Sequence, residues 1–171
     1  MKKCLVVVDM QNDFVTGALG SGQAQLLLKP MKSFIDSFDG TVVYTQDTHH
    51  EDYMETQEGK RLPVVHCVEN RPGWDIVPEL GGNVNKQIFK KPTFGSLVLG
   101  GFLKDNAFDE VHFVGVCTGI CVISNAVIAK ANLPQARIVI HADLCACVSD
   151  ESHETALAAM SLLQMDIEGR R

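Results

Sequence analysis

An excess of positive charge, long hydrophobic runs and paired Cys-x-x-Cys motifs are all absent from these 171 residues. Fifteen Lys and Arg stand against twenty-one Asp and Glu, a formal net charge of −6, so there is no basic surface to attract phosphate backbones or anionic lipid. Nucleic acid and membrane surfaces are thereby excluded as partners. The N-terminal Met1-Lys2-Lys3 and Cys4-Leu5-Val6-Val7-Val8 imitate a signal peptide, but Asp9 interrupts the apolar run well short of an h-region. Among the cysteines, Cys117-x-x-x-Cys121 and Cys145-x-Cys147 have the wrong spacing for a structural zinc. A chain of this length buries roughly 70% of its unfolded surface and needs no cross-link to fold. The expectation is one domain over 1–171, cytoplasmic, with reduced thiols, in which Cys4, Cys67, Cys145 and Cys147 are core or supporting residues.

What is present is a set of short β-branched runs alternating with helix-like stretches. Cys4 to Val8, Thr41 to Thr45, Val111 to Val116 and Arg137 to Ile140 lack polar alternation, as do strands covered on both faces, and they predict repeated βα units around a parallel sheet. Helices are expected over Ile120 to Ala131, over Glu151 to Leu163 with Ser149 or Asp150 as N-cap, and over Pro30 to Phe38 with Pro30 opening the first turn. Gln46 to Val84, with Pro63, Pro72 and Pro78, reads as an extended functional loop. In such sheets ligands bind beyond the carboxyl ends of the strands.

Three clusters fall at those ends. Asp9 follows Val6-Val7-Val8 directly; it is either a desolvated general acid or base, or a turn aspartate. Asp13 is suited to capping a turn, and Phe14 to forming an aromatic wall or to core packing. Cys121 follows Val116-Cys117-Thr118-Gly119-Ile120 and sits near a helix start, where backbone N–H groups favour a thiolate and can also hold an oxyanion; the alternative is an inert buried thiol. Lys90 and Lys91, just before Pro92, are the cations available to such a nucleophile. Asp47-Thr48-His49-His50, with Glu58 and His66, offers ligands for Zn²⁺, Fe²⁺ or Mn²⁺, or else is a solvated polar loop.

Taken in order, Val7 to Phe14, Lys91-Pro92-Thr93-Phe94-Gly95-Ser96-Leu97 and Gly115 to Val122 resemble the aspartate, lysine and nucleophile motifs of the isochorismatase-like cysteine hydrolases, and within them the nicotinamidases. His141-Ala142-Asp143 and the stretch from Ser149 to Glu154 are similar to that family's final strand and helix. The resemblance implies a three-layer α/β/α, Rossmann-like fold with six parallel strands, or five with a short edge strand at Gln164 to Glu168. It implies Asp9, Lys91 and Cys121 as catalytic residues, with Lys91 favouring the thiolate. It also implies a cis peptide at Val116–Cys117 and an oxyanion hole from the N–H groups of Cys117 and Cys121.

Asp47-x-His49 and Pro63-Val64-Val65-His66-Cys67 resemble the metal elements of nicotinamidases, which implies a divalent ion, zinc foremost, on Asp47, His49 and His66, with Glu58 as the further carboxylate. Phe14, Leu62 and Trp74 are the implied substrate-facing residues. Leu62 stands where many nicotinamidases have an aromatic, the Pro-to-His spacing is one residue longer than usual, and Gly95 and Leu97 depart from the common lysine motif. The implied reaction is conversion of nicotinamide to nicotinate and ammonia in a homo-oligomer. A relative acting on another small amide, a carbamoyl compound or a vinyl ether, and a non-catalytic metal-binding relative, are the competing readings.

Overall fold

Val, Leu and Ile at consecutive positions leave no polar face, so each central strand has to be covered on both sides. A computed structural model describes residues 1–170. Its strands are β1 (Lys3–Val8), β2 (Thr41–Asp47), β3 (Ile88–Lys91), β4 (Glu110–Val116), β5 (Arg137–Ala146) and β6 (Asp166–Glu168), all parallel, in the order β3-β2-β1-β4-β5-β6. The six-stranded sheet matches the expectation, short edge strand included. Its helices are α1 (Asn12–Val15), α2 (Gly22–Ser37), α3 (Gln57–Arg61), α4 (Leu97–Asn106), α5 (Ile123–Asn132) and α6 (Asp150–Leu162).

Side chains of β1 alternate between two cores. Cys4, Val6 and Val8 pack with Leu99 and Leu103 of α4, Val122, and Leu157 and Met160 of α6. Leu5 and Val7 pack on the other face with Leu27 and Met31 of α2 and with Ile76 and Leu80 of the long connection. Each fully buried aliphatic contributes roughly 1.5–3 kcal/mol relative to exposure. Gly115 is required where it stands: it lies at φ +119°, and a Cβ there would collide with the Val8 backbone. The strand order reverses between β1 and β4, which opens a crevice at their carboxyl ends.

Several local expectations need correction. Pro30 does not open its helix: α2 begins at Gly22, capped by Ser21 Oγ accepting from the Ala24 N–H, and Pro30 lies inside it. The carbonyl that Pro30 cannot reach belongs to Leu26, which is 79% exposed and open to water. The helix expected from Ile120 starts instead with a wider π turn over Thr118–Val122 before α5 begins. β5 runs on to Ala146, past the predicted Ile140, through an irregularity between Phe113 and Gly115 in its pairing with β4. The long connection holds α3 and three 3-10 turns, at Tyr53–Glu55, Pro72–Trp74 and Pro78–Leu80. α4 was not anticipated, because Gly100 and Gly101 blur its periodicity. Ser149 does cap α6, accepting from the Ser152 N–H. No helix among the described residues is long and apolar enough to cross a membrane.

Candidate active site and metal centre

The ends of β1, β2, β3 and β4 each deliver one group to the crevice. Asp9 follows β1, Asp47 ends β2, Lys91 ends β3, and Cys121 lies in the π turn after β4. Lys91 is the hub, its side chain wholly buried, with Nζ 2.6 Å from Asp9 Oδ2 and 3.3 Å from Asp47 Oδ1. The same ammonium donates to the Thr93 carbonyl at 3.1 Å and reaches Cys121 Sγ at 3.5 Å. Lys90, one residue back in the extended strand, points away, pairs with Glu69 and covers the Trp74 ring. The alternation of a β-strand is what separates the two lysines.

Thr45 steadies Asp9 on the far side, its hydroxyl donating to Oδ1 at 2.6 Å while accepting from the Asp9 N–H at 3.2 Å. Burial pushes the Asp9 carboxyl upward, aided by the Asp47 charge, against the pull of Lys91. Burial also pulls on the Lys91 ammonium, but Asp9, Cys121 and Asp47 outweigh it and keep the group charged. The Cys121 thiol is driven well up by burial and by Asp9, with Lys91 opposing. Burial and the neighbouring carboxylates thus raise this thiol, while the Lys91 charge is the influence that favours its thiolate. A buried thiol beside a carboxylate of raised affinity can exchange one proton when an electrophile arrives.

The Cys117 carbonyl accepts from the N–H groups of Ile120 and Val122, which shapes the π turn, and the Val116–Cys117 peptide is cis, as implied. Asn125, fully buried one turn further on, donates to the Cys121 carbonyl at 2.8 Å and to the Phe94 carbonyl at 3.0 Å and accepts from the Ser96 N–H. It ties the Cys121 turn to the segment leaving β3.

Beside this triad, one ligand atom from each of Asp47, His49, Glu58 and His66 lies within 4.8 Å of the others. Asp47 Oδ2 is 2.9 Å from His49 Nε2 and 3.6 Å from His66 Nε2, and Glu58 Oε1 lies 3.7 and 3.9 Å from the same nitrogens. These spacings match ligands about 2 Å from a common ion. His49 Nε2 is buried without a hydrogen-bond partner, and the Val64 carbonyl lies 2.7 Å from His66 Nδ1, which places the ring proton there and leaves Nε2 free to ligate. The donor set fits a divalent ion. Burial alone would raise the Asp47 carboxyl, but the adjoining imidazoles of His49 and His66 and the Lys91 charge hold it well below the usual carboxylate range.

The supporting shell was largely missed from sequence. Gln11 clamps Asp47 with both ends of its amide, Nε2 to the carbonyl and Oε1 to the N–H. Asp13 accepts from the Cys67 N–H at 2.8 Å, holding the His66 segment, and from Ala18. Tyr53 is buried against both metal-cluster imidazoles and donates to the Leu62 carbonyl. Gln11, two positions past the strand-end Asp9, leaves only that proximity as a trace in the sequence. Phe14 packs edge-on against His66 at 5.5 Å, and Leu62 is 38% exposed. Trp74 is buried, its indole N–H donating to Thr48 Oγ1.

Comparison places these features in a known context. The isochorismatase domain model matches residues 3–168, and the chain belongs to that family of hydrolases. It is 30% identical over 175 residues to an uncharacterized isochorismatase family protein, PncA, of Bacillus subtilis (strain 168), covering 92% of this chain and 93% of that one. It is 26% identical over 185 residues to the nicotinamidase/pyrazinamidase of Mycobacterium tuberculosis, covering 96% and 97%. The pyrazinamidase of Pyrococcus horikoshii, solved in complex with zinc, superposes with a TM-score of 0.85 at 26% identity over 98% of both chains.

Proposed function

We propose that this chain is a metal-assisted cysteine amidohydrolase that converts nicotinamide to nicotinate and ammonia through a thioester. The observation that carries the reading is one buried ammonium, Lys91, touching Asp9, Asp47 and Cys121 together. The relatives named for nicotinamide and pyrazinamide hydrolysis support the substrate class.

In this reading Cys121 Sγ attacks the carboxamide carbon as its proton passes to Asp9. The N–H groups of Cys117 and Cys121 receive the oxyanion, each such donor being worth ~3 kcal/mol in the transition state. Asp9 then delivers its proton to the nitrogen as the C–N bond breaks, and ammonia leaves a nicotinoyl thioester. Water attacks the thioester carbonyl, Asp9 taking its proton and returning it to the departing sulfur. Lys91 keeps Asp9 aligned and offsets its charge throughout. A divalent ion on Asp47, His49, His66 and Glu58, zinc foremost and Fe²⁺ or Mn²⁺ otherwise, would supply a Lewis-acid anchor for the substrate's ring nitrogen. Phe14 and Leu62 face the ring, and Trp74 supports Thr48 behind the metal ligands.

The whole chain acts as one domain, cytoplasmic, as a homo-oligomer, in the recovery of nicotinamide for NAD. Ammonia release from nicotinamide and a panel of small amides, before and after chelation, tests the reading. Release from nicotinamide that is lost on chelation and restored by zinc supports it. Turnover confined to a carbamoyl compound or another amide overturns the substrate, and no turnover of any amide by metal-loaded protein overturns the enzyme class.

A further inference from the structure

Two cysteines whose thiols the proposed reaction leaves unused leave the sheet side by side. Val116 and Ala146 are the last paired positions of β4 and β5, so Cys117 and Cys147 emerge opposite each other. Directly opposed residues on neighbouring parallel strands are about 4.8 Å apart, inside the Cα range a disulfide spans. The Cys147 thiol is near enough to act on the Cys117 thiol, helping to raise it. Glycine at 119 leaves room for the pair, since a Cβ there would stand 3.5 Å from Cys147 Sγ.

Access and consequence are both built in. Cys147 lines a groove of about 420 Å³ between α2 and α6, with Leu27 and His153, and also a cleft of about 590 Å³ beside Ile120 and Ser152. Cys117 is half-buried, whereas Cys121 is 6% exposed. The Cys117 carbonyl holds the N–H groups of Ile120 and Val122, and Thr118 Oγ1 is 2.8 Å from His153 Nδ1 of α6. Drawing the Cys117 side chain onto Cys147 therefore pulls on the turn that carries Cys121.

We propose that Cys117 and Cys147 are a dithiol modification site, closed by small-molecule disulfides into an internal disulfide that switches off the hydrolase by displacing the Cys117–Cys121 turn. Cys147, 5% exposed but lining both cavities, attacks the small disulfide and passes its proton to the thiol that is released, leaving a mixed disulfide. Cys117 then attacks the Cys147 sulfur, its proton leaves, and the second small thiol departs. The protein gives up two electrons and two protons, and the small disulfide becomes two thiols. Burial pushes the Cys117 thiol up to about 12, which suits the resolving position better than the attacking one.

The activity arm rests on the amidase reading; the linkage does not. Metal-loaded wild-type protein is treated with bis(2-hydroxyethyl) disulfide, and free thiols, peptide mass and ammonia release are followed. The expected result is loss of two of the six free thiols, a peptide joining Cys117 to Cys147, and an activity loss of about 100-fold that dithiothreitol reverses. Cys147→Ser and Cys147→Ala, each expected to keep basal activity, remain active in the same oxidant. A missing 117–147 linkage, a linkage without activity loss, or inactivation of both variants at the wild-type rate overturns the proposal. Failure of the catalytic reading shows separately, as no turnover before oxidation, while the linkage is still decided by mass.

Discussion

Asp47 faces Lys91 with one carboxylate oxygen and His49 with the other, 3.3 Å from the ammonium and 2.9 Å from the imidazole. A single side chain at the end of β2 thus belongs both to the Asp9–Lys91–Cys121 cluster and to the Asp47–His49–Glu58–His66 cluster. The two clusters are not independent sites placed next to each other. Removing Asp47 strips a ligand from one and an anion from the other, so its consequences should exceed those of Glu58, which touches only the metal group.

Asp47→Ala is expected to lower metal affinity by about 100-fold or more and to abolish ammonia release even when excess metal restores occupancy. Glu58→Gln should weaken binding less and recover with added zinc. Metal analysis after dialysis, paired with activity at saturating metal, separates the two. Stoichiometric metal in dialysed Asp47→Ala would remove that residue from the ligand set.

Cys121→Ala should reduce ammonia release by roughly 10³-fold or more, since removing a nucleophile leaves only binding and oxyanion stabilisation. Its metal content should be that of the wild type, because Cys121 is not among the four residues of the metal-capable group. Turnover within an order of magnitude of wild type would end the nucleophile assignment.

Asn125 offers a sharper test of geometry. Asn125→Asp preserves shape and the acceptor for the Ser96 N–H, but it can no longer donate to the Cys121 and Phe94 carbonyls. Each carbonyl left unpaired costs about 1–3 kcal/mol, so thermal stability falls. If Asn125 also positions sulfur against Lys91, kcat drops about 10- to 100-fold in the folded protein while KM stays nearly constant. A lower melting temperature with unchanged kcat would reduce Asn125 to a structural role.

Much of this arrangement was legible in the sequence, and the reason is topological. A carboxylate, an ammonium or a thiol directly after a short apolar run must emerge at the same end of a parallel sheet, so Asp9, Lys91 and the Cys121 turn could be gathered before any coordinates. Asp47, which ends β2, and His49, just after it, emerge in the same way, whereas His66, later in the long connection, was reached through its residue type and the family resemblance. What escaped were residues whose role depends on a partner far along the chain. Thr45 and Gln11 matter because β1 and β2 are neighbours, and Asn125 because α5 packs beside the segment leaving β3. Pro30 misled because local propensity favours a helix start, whereas the helix runs through it on the exposed face that Leu26 shares.

The sheet also carries an acid-sensitive element away from the site. His112 of β4 and His141 of β5 stack with ring nitrogens 3.0 Å apart, and His112 Nε2 is 3.1 Å from Glu110 Oε2. Phe34 of α2 and Phe38, just past its end, cover the two rings. Burial lowers both imidazoles below the free value of 6.5; Glu110 opposes this at His112, and the charge of His112 reinforces it at His141. Lys3, Arg137, Asp143 and Glu168 are the other charges that act on the pair. With the folded affinity depressed, the unfolded chain binds more protons just below 6.5, so stability rises with pH across that window. It is fully present above 6.5 and declines as pH falls from 6.5 toward the lower folded values. The melting temperature of the wild type should therefore drop between about pH 7 and pH 5, and His141→Gln should flatten the slope over that interval. Parallel slopes for the two proteins would show that the stacked imidazoles take no part in the acid response.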